Sequence, residues 1–199
     1  MTTSVVKRRA AQTDSDEQLV TLAAGGDLDA FELLVERHRA QVVRVAARIV
    51  GREEAEDVAQ DALLRAFHRL NRFRREAPFR VWLLRIVHNT ALNALARKVP
   101  TPVEEVPEPT ETDSAEAQRT PARDLVDQER RERLATKLAL LKPQHRSVLV
   151  LRDIEGMTYE EIAEVTEMPL GSVKGRLFRA RAELADLLRN NAYDWELPT

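Results

Sequence analysis

The stretch PLGSVKGRLFRARAEL, residues 169–184, sets Lys174, Arg176, Arg179 and Arg181 against one acid, Glu183. The whole chain has a formal net charge of -2, so this positive excess is local. At about 100° per residue, Val173, Leu177, Ala180 and Leu184 form one apolar stripe of a helix. Ser172, Lys174, Gly175, Phe178, Arg179 and Ala182 point the other way, with Arg176 and Arg181 on the flanks. An outward face of cations, a small residue and an exposed aromatic suits the DNA major groove. There Arg or Lys meets guanine edges, an apolar group meets a thymine methyl, and flanking cations neutralise phosphates. The bland alternative, an ordinary amphipathic surface helix, leaves the exposure of Phe178 without a reason.

A second constellation lies in NRFRREAPFRVWLLRIVHNTALNALARK, residues 71–98. Phe73, Phe79 and Trp82 interleave with arginines, and aromatic platforms beside cations are what single strands require. Taken one at a time, Phe79 and Trp82 are better read as core. Arg85, Asn89 and Asn93 recur every fourth residue and make one polar stripe. Asn can pair with a base edge but is a poor helix former, so two on one stripe ask for an explanation. Residues 65–98 carry nine Lys/Arg and a single acid, Glu76, whereas residues 100–118 carry six acids and no Lys or Arg. Blocks of this kind point to a polyanion-binding surface beside an acidic segment.

Chemistry of other kinds finds little support. The chain has no cysteine, which excludes disulfides and thiolate metal sites and fits a reducing cytoplasm. His38, His68, His88 and His145 are scattered without ligand spacing, and neither a Gly-rich phosphate loop nor a nucleophile elbow occurs. An enzyme, a cofactor and a metal are therefore not expected. No run of about 18 apolar residues exists, so membrane insertion is not expected either.

The elements that must position these residues are helical throughout. Apolar residues recur at spacings of three and four, and no alternating strand pattern occurs. Gly25-Gly26 breaks the first helical stretch and Asp27 can cap the next. Gly51 ends a long helix, and acids open the one that follows, as the helix dipole favours. In that helix Ala59, Leu63, Ala66, Phe67 and Leu70 are expected on the buried face. Pro78 begins the helix with the Asn stripe. Pro143 opens a helix that Gly156 closes. Thr158 and Glu161 have the form of a capping box for a short helix. The turn Thr166–Met168 and Pro169 then lead into the cationic helix, which makes a helix-turn-helix candidate. Residues 99–122 hold five of the nine prolines with high negative charge, and are expected to be an extended linker. The expected organisation is all-α. A disordered tail (1–15) precedes a helical domain (16–98), the linker (99–122), a second helical domain (123–189) and a C-terminal tail (190–199).

One helical module suited to melted DNA and one suited to duplex, joined by an acidic linker, is an unusual pairing. The sequence resembles the extracytoplasmic-function sigma factors of bacteria, over nearly all its length. AEDVAQDALLRAF, RFRREAPFRVWLLRIVHNTALNAL and EGMTYEEIAEVTEMPLGSVKGRLFRARAEL carry the resemblance. It implies a cytoplasmic subunit that directs core RNA polymerase to promoters. Region 2 would bind the β′ clamp helices through Asp57, Gln60, Asp61 and Leu64, and melt the −10 element. The loop with Asn71, Arg72, Arg74 and Arg75 would cradle a flipped base, and Arg85, Asn89 and Asn93 would contact the −10 strands. Region 4 would bind the β flap and read the −35 element. Lys174, Gly175, Phe178 and Arg179 would lie near bases, and Ser172, Arg176 and Arg181 near phosphates. An anti-sigma factor is a further implied partner. Glu167 stands where the family's turn usually has Gly, and Gly175 where Ser is more usual. The competing reading is a free-standing helix-turn-helix regulator, which would have no use for the Asp57–Leu64 surface or the Asn stripe.

Overall fold

The computed structural model describes residues 15–97 and 133–190, all helices and connecting turns with no strand among them. The expected linker, most of the N-terminal tail, the start of the second half and the residues after 190 lie outside the described residues.

Local chemistry accounts for the helix ends in the first half. Helix α1 (Asp16–Ala24) opens with a capping box: Gln18 N–H donates to Ser15 Oγ, and Ser15 N–H to Gln18 Oε1. Ser15, expected in the tail, is thus the cap of the first helix. Asp27 caps α2 (Leu28–Val50) by accepting from Ala30 N–H at 3.1 Å. Gly51, at φ 99°, turns the chain between α2 and α3 (Arg52–Arg69), a geometry that glycine adopts without a Cβ clash. A single 3₁₀ turn, Leu70–Arg72, leads into the loop before α4 (Phe79–Arg97). The first free N–H groups of α4, those of Val81 and Trp82, bond to the Pro78 carbonyl.

The buried face of α3 is Ala55, Val58, Ala59, Ala62 and Ala66, with Leu70 beyond its end. The expected face was therefore turned by part of a residue step. Phe67 is 40% exposed and stacks on Phe31 at 4.9 Å, and Leu63 is only half-buried. Small alanines let α2 and α4 approach α3 closely, which pushes the larger side chains to its rim.

In the second half, residues 133–140 are helical, and Pro143 starts α5 (Pro143–Leu149). The last turn of this helix, Val150–Ile154, is π-helical, with Glu155 N–H reaching back to the Val150 carbonyl. Arg146 through Leu151 are six consecutive buried residues. A helix buried all round has no polar face, and this one lies against both halves. Helix α6 (Tyr159–Thr166) and α7 (Leu170–Asn190) complete the chain. The buried apolar residues of both halves form one continuous cluster, each fully buried Leu or Val contributing about 1.5–3 kcal/mol. Two separate small cores were the expectation; α5 instead joins them.

Candidate nucleic-acid interface

The helix-turn-helix is built as its sequence suggests. Thr158 Oγ1 accepts from Glu161 N–H, and Thr158 N–H donates to Glu161 Oε2, so α6 begins on a complete capping box. The turn closes on Glu167 in the left-handed conformation, φ 54° and ψ 37°, a region that a residue with a Cβ enters at a cost of about 1 kcal/mol.

Along α7, Val173, Leu177 and Ala180 are buried and Leu184 is half-buried, as the periodicity requires. Phe178 is 76% exposed, the largest exposure of any large apolar side chain among the described residues. Ser172, Lys174, Arg179 and Arg181 are exposed, and Gly175 and Arg176 half-buried. The Arg179 guanidinium folds beside Gly175, within van der Waals range of where a Cβ would stand. Lys174 lies 5.7 Å from the Tyr159 ring. Arg181 differs from its neighbours: Asp153 holds it through two hydrogen bonds, 2.6 and 3.2 Å. That carboxylate raises its pKa.

The second surface is an open groove of ≈ 650 Å³ along α4. Arg65, Arg69, Arg72, Arg85, Asn89 and Asn93 line it, with Trp82 among them. Asn89 and Asn93 are exposed, and Arg85 half-buried. Arg69, Arg72 and Arg74 make no ion pair among the described residues. Arg65 is paired with Asp61 at 2.8 Å, one turn earlier on α3. Asp57, Gln60 and Leu64 are exposed on the same helix, and Gln60 and Leu64 line a shallow groove with Phe31 and Phe67. Phe79 and Trp82 are buried, so the core reading of those two rings holds; Phe73 is half-buried and packs on Trp82 at 5.0 Å. The loop before α4 is tied to α1 by Arg75, which sits at φ 60° and donates to Thr21 Oγ1 at 2.9 Å.

Against this geometry, family models place the chain without ambiguity. Residues 34–100 match sigma-70 region 2, and residues 131–184 match sigma-70 region 4. RNA polymerase sigma-H factor of Pseudomonas aeruginosa is 33% identical over 183 residues, 88% of this chain and 95% of that protein. The chain is an RNA polymerase sigma factor of the extracytoplasmic-function group. The ECF sigma-E factor of Escherichia coli K12 is 34% identical over 84% of this sigma factor and 91% of its own length. Among solved structures, CnrH in complex with the cytosolic domain of CnrY superimposes with a TM-score of 0.65 at 32% identity, covering 89% of this chain and 99% of that one. The sigma factor RpoE of Bartonella quintana, solved with the anti-sigma factor NepR, shares the fold. Its TM-score is 0.60 at 21% identity, covering 81% of this chain and 98% of that one.

Sequence reasoning missed one group of residues in this sigma factor, those joining region 2 to region 4. Glu155, whose side chain is 2% exposed, accepts from Arg44 Nε and Nη2 (2.8 and 2.9 Å) and from Gln41 (2.7 Å). Burial alone would raise the Glu155 pKa; the hydrogen bonds and charges of Arg44, Gln41 and Arg80 outweigh it and pull the carboxyl below its ordinary value. Arg80, counted in the basic block, donates to the Glu155 carbonyl and to Gln41 and lies 3.9 Å from Glu161. Arg146 donates to the Ile49 carbonyl in region 2 and to Ala139 and Leu141 in region 4, capping helix ends in both. Its Nε is buried without a partner, and burial lowers its pKa. His88 reaches Ser147 Oγ at 3.3 Å. These partners lie 59 to 114 residues apart, so no local pattern pairs them. The non-periodic run RSVLVL was the one available signal.

Proposed function

We propose that this sigma factor binds core RNA polymerase in the cytoplasm through the outer face of α3, melts the −10 element along α4 and reads the −35 element with α7. Asp57, Gln60, Asp61 and Leu64 form the polymerase contact, directed at the β′ clamp helices. Arg85, Asn89 and Asn93, with Asn71, Arg72, Arg74 and Arg75 of the preceding loop, take the −10 strands. Lys174, Gly175, Phe178 and Arg179 face −35 bases, and Ser172, Arg176 and Arg181 flank them at phosphates. Residues 16–98 and 123–189 act as the two DNA-contacting domains, the second also engaging the β flap.

The observation that carries this reading is one chain with two cationic surfaces of different character. Exposed Phe178 beside unpaired Lys174 and Arg179 suits duplex edges. An Asn-lined groove with unpaired arginines suits separated strands. An anti-sigma factor belongs to the proposal as a partner, because CnrH and the Bartonella sigma factor were each solved with a regulatory partner bound.

Sequencing of transcripts made in vitro by core polymerase with and without the protein tests this directly. New start sites that share two upstream elements are expected. Binding of DNA with no new starts would point instead to a free-standing regulator.

A further inference from the structure

Three carboxylates of region 4 sit on three arginines of region 2: Glu155 on Arg44, Glu161 on Arg80 and Glu167 on Arg85. The last of these pairs lies within the groove that holds Asn89 and Asn93. We propose that the chain closes on itself, with Glu167 occupying the −10 groove where a DNA phosphate would otherwise lie. The masking half of this proposal rests on the −10 reading above; the closure half does not.

Glu167 is the informative residue. It holds a left-handed conformation that glycine would adopt freely. A glutamate there is disfavoured in the turn itself. Its carboxylate gains a partner, Arg85 at 3.7 Å, only when region 4 lies against region 2. The residue type is thus unfavourable in an open chain and favourable in a closed one.

The interface is graded. The Glu155 side chain is nearly inaccessible and bound by two residues, whereas Glu167 is 64% exposed and its pair is open to solvent. Removing one partner from a buried pair is strongly destabilising, while exposed pairs are weak and salt-screened. Glu155 is therefore the latch and Glu167 the mask. A polyanion competes with the mask easily, and by linkage a strand that takes Arg85 must favour opening.

The test uses the full chain and three variants, each checked for helix content by circular dichroism. Glu155→Gln keeps the shape and removes the charge of the latch. Glu167→Gly removes the mask and relieves its backbone. Glu164→Gln removes the same charge from an exposed neighbour on α6 that no arginine holds, and so reports the purely electrostatic effect. Small-angle scattering should give a larger radius of gyration for Glu155→Gln than for the wild type. Fluorescence anisotropy with a fluorescein-labelled random-sequence single-stranded oligonucleotide should show Glu167→Gly binding up to about fivefold tighter than Glu164→Gln. Wild-type dimensions for Glu155→Gln overturn the latch. Equal affinities of Glu167→Gly and Glu164→Gln overturn the mask. Adding Arg85→Ala to Glu167→Gly keeps the two readings apart. If the gain is abolished, the strand lies in this groove; if it persists, the −10 reading of the groove fails and the masking with it.

Discussion

Arg179 and Arg181 stand two residues apart on α7 and differ in what holds them. Arg179 rests beside Gly175 on the outer face, whereas Asp153 grips Arg181 from the end of the preceding π turn. Arg179 is free to meet a base edge, and its loss should cost about 1–3 kcal/mol and relax preference at one −35 base pair. Arg181→Ala should weaken all sequences alike and lower the salt slope by about one unit. Selection from a randomised −35 library with both variants checks this, and the reverse outcome would mean that α7 lies differently in the groove. The faces of α7 were legible because a 3.6-residue period fixes which side chains share a side. The Arg181–Asp153 pair was not, because a turn and a helix intervene and their packing decides the match.

Helix α3 shows how an element is read correctly in kind and imperfectly in phase. Its existence, its acidic start and the exposure of Asp57, Gln60 and Leu64 follow from the sequence. Its buried face does not, because a run rich in alanine offers two nearly equal apolar stripes, and only contact with α2 and α4 chooses between them. The outcome leaves Leu64 53% exposed next to Phe67, an apolar rim on a charged helix. Leu64→Asp should therefore change stability by under about 0.5 kcal/mol. It should still weaken retention of core polymerase in a pull-down; retention at the wild-type level would remove α3 from the polymerase contact. The caps at Ser15, Asp27 and Thr158 were legible in principle for the opposite reason, since each involves residues within one turn.

For the whole molecule, the two halves share polar links that titrate. Burial chiefly holds His88 below its ordinary value of 6.5, helped by the charge of Arg176 and opposed by its bond to Asn89 and by Glu167. A depressed histidine contributes stability that is full above about pH 6.5 and is lost as pH falls towards its folded value. Glu155 is depressed below 4.5, so its contribution is full above that pH and is lost as pH falls through its folded value. Glu183, lowered chiefly by its bond to His145, acts in the same direction. Urea midpoints should be flat from pH 8 to 7 and decline below about 6.5. One proton limits the slope to about 1.4 kcal/mol per pH unit. His88→Gln should remove the decline above pH 5 and leave the steeper loss below 4.5; an unaltered profile would show that His88 does not titrate with unfolding. None of this was legible in the sequence. The all-α class followed from periodicity, but the union of the halves depends on where a helix buried on every side comes to rest.

The π turn at Val150–Ile154 gives that helix a sensitivity of a different order. A π turn amounts to one residue inserted into an α-helix. Deleting a codon within this segment would wind it back to regular α-helix and swing all that follows by about 100°. Glu155 would leave Arg44, and the helix-turn-helix would be re-aimed as a body. Over the history of the gene, point substitutions here can be absorbed singly, whereas a three-nucleotide deletion changes the bearing of half the protein.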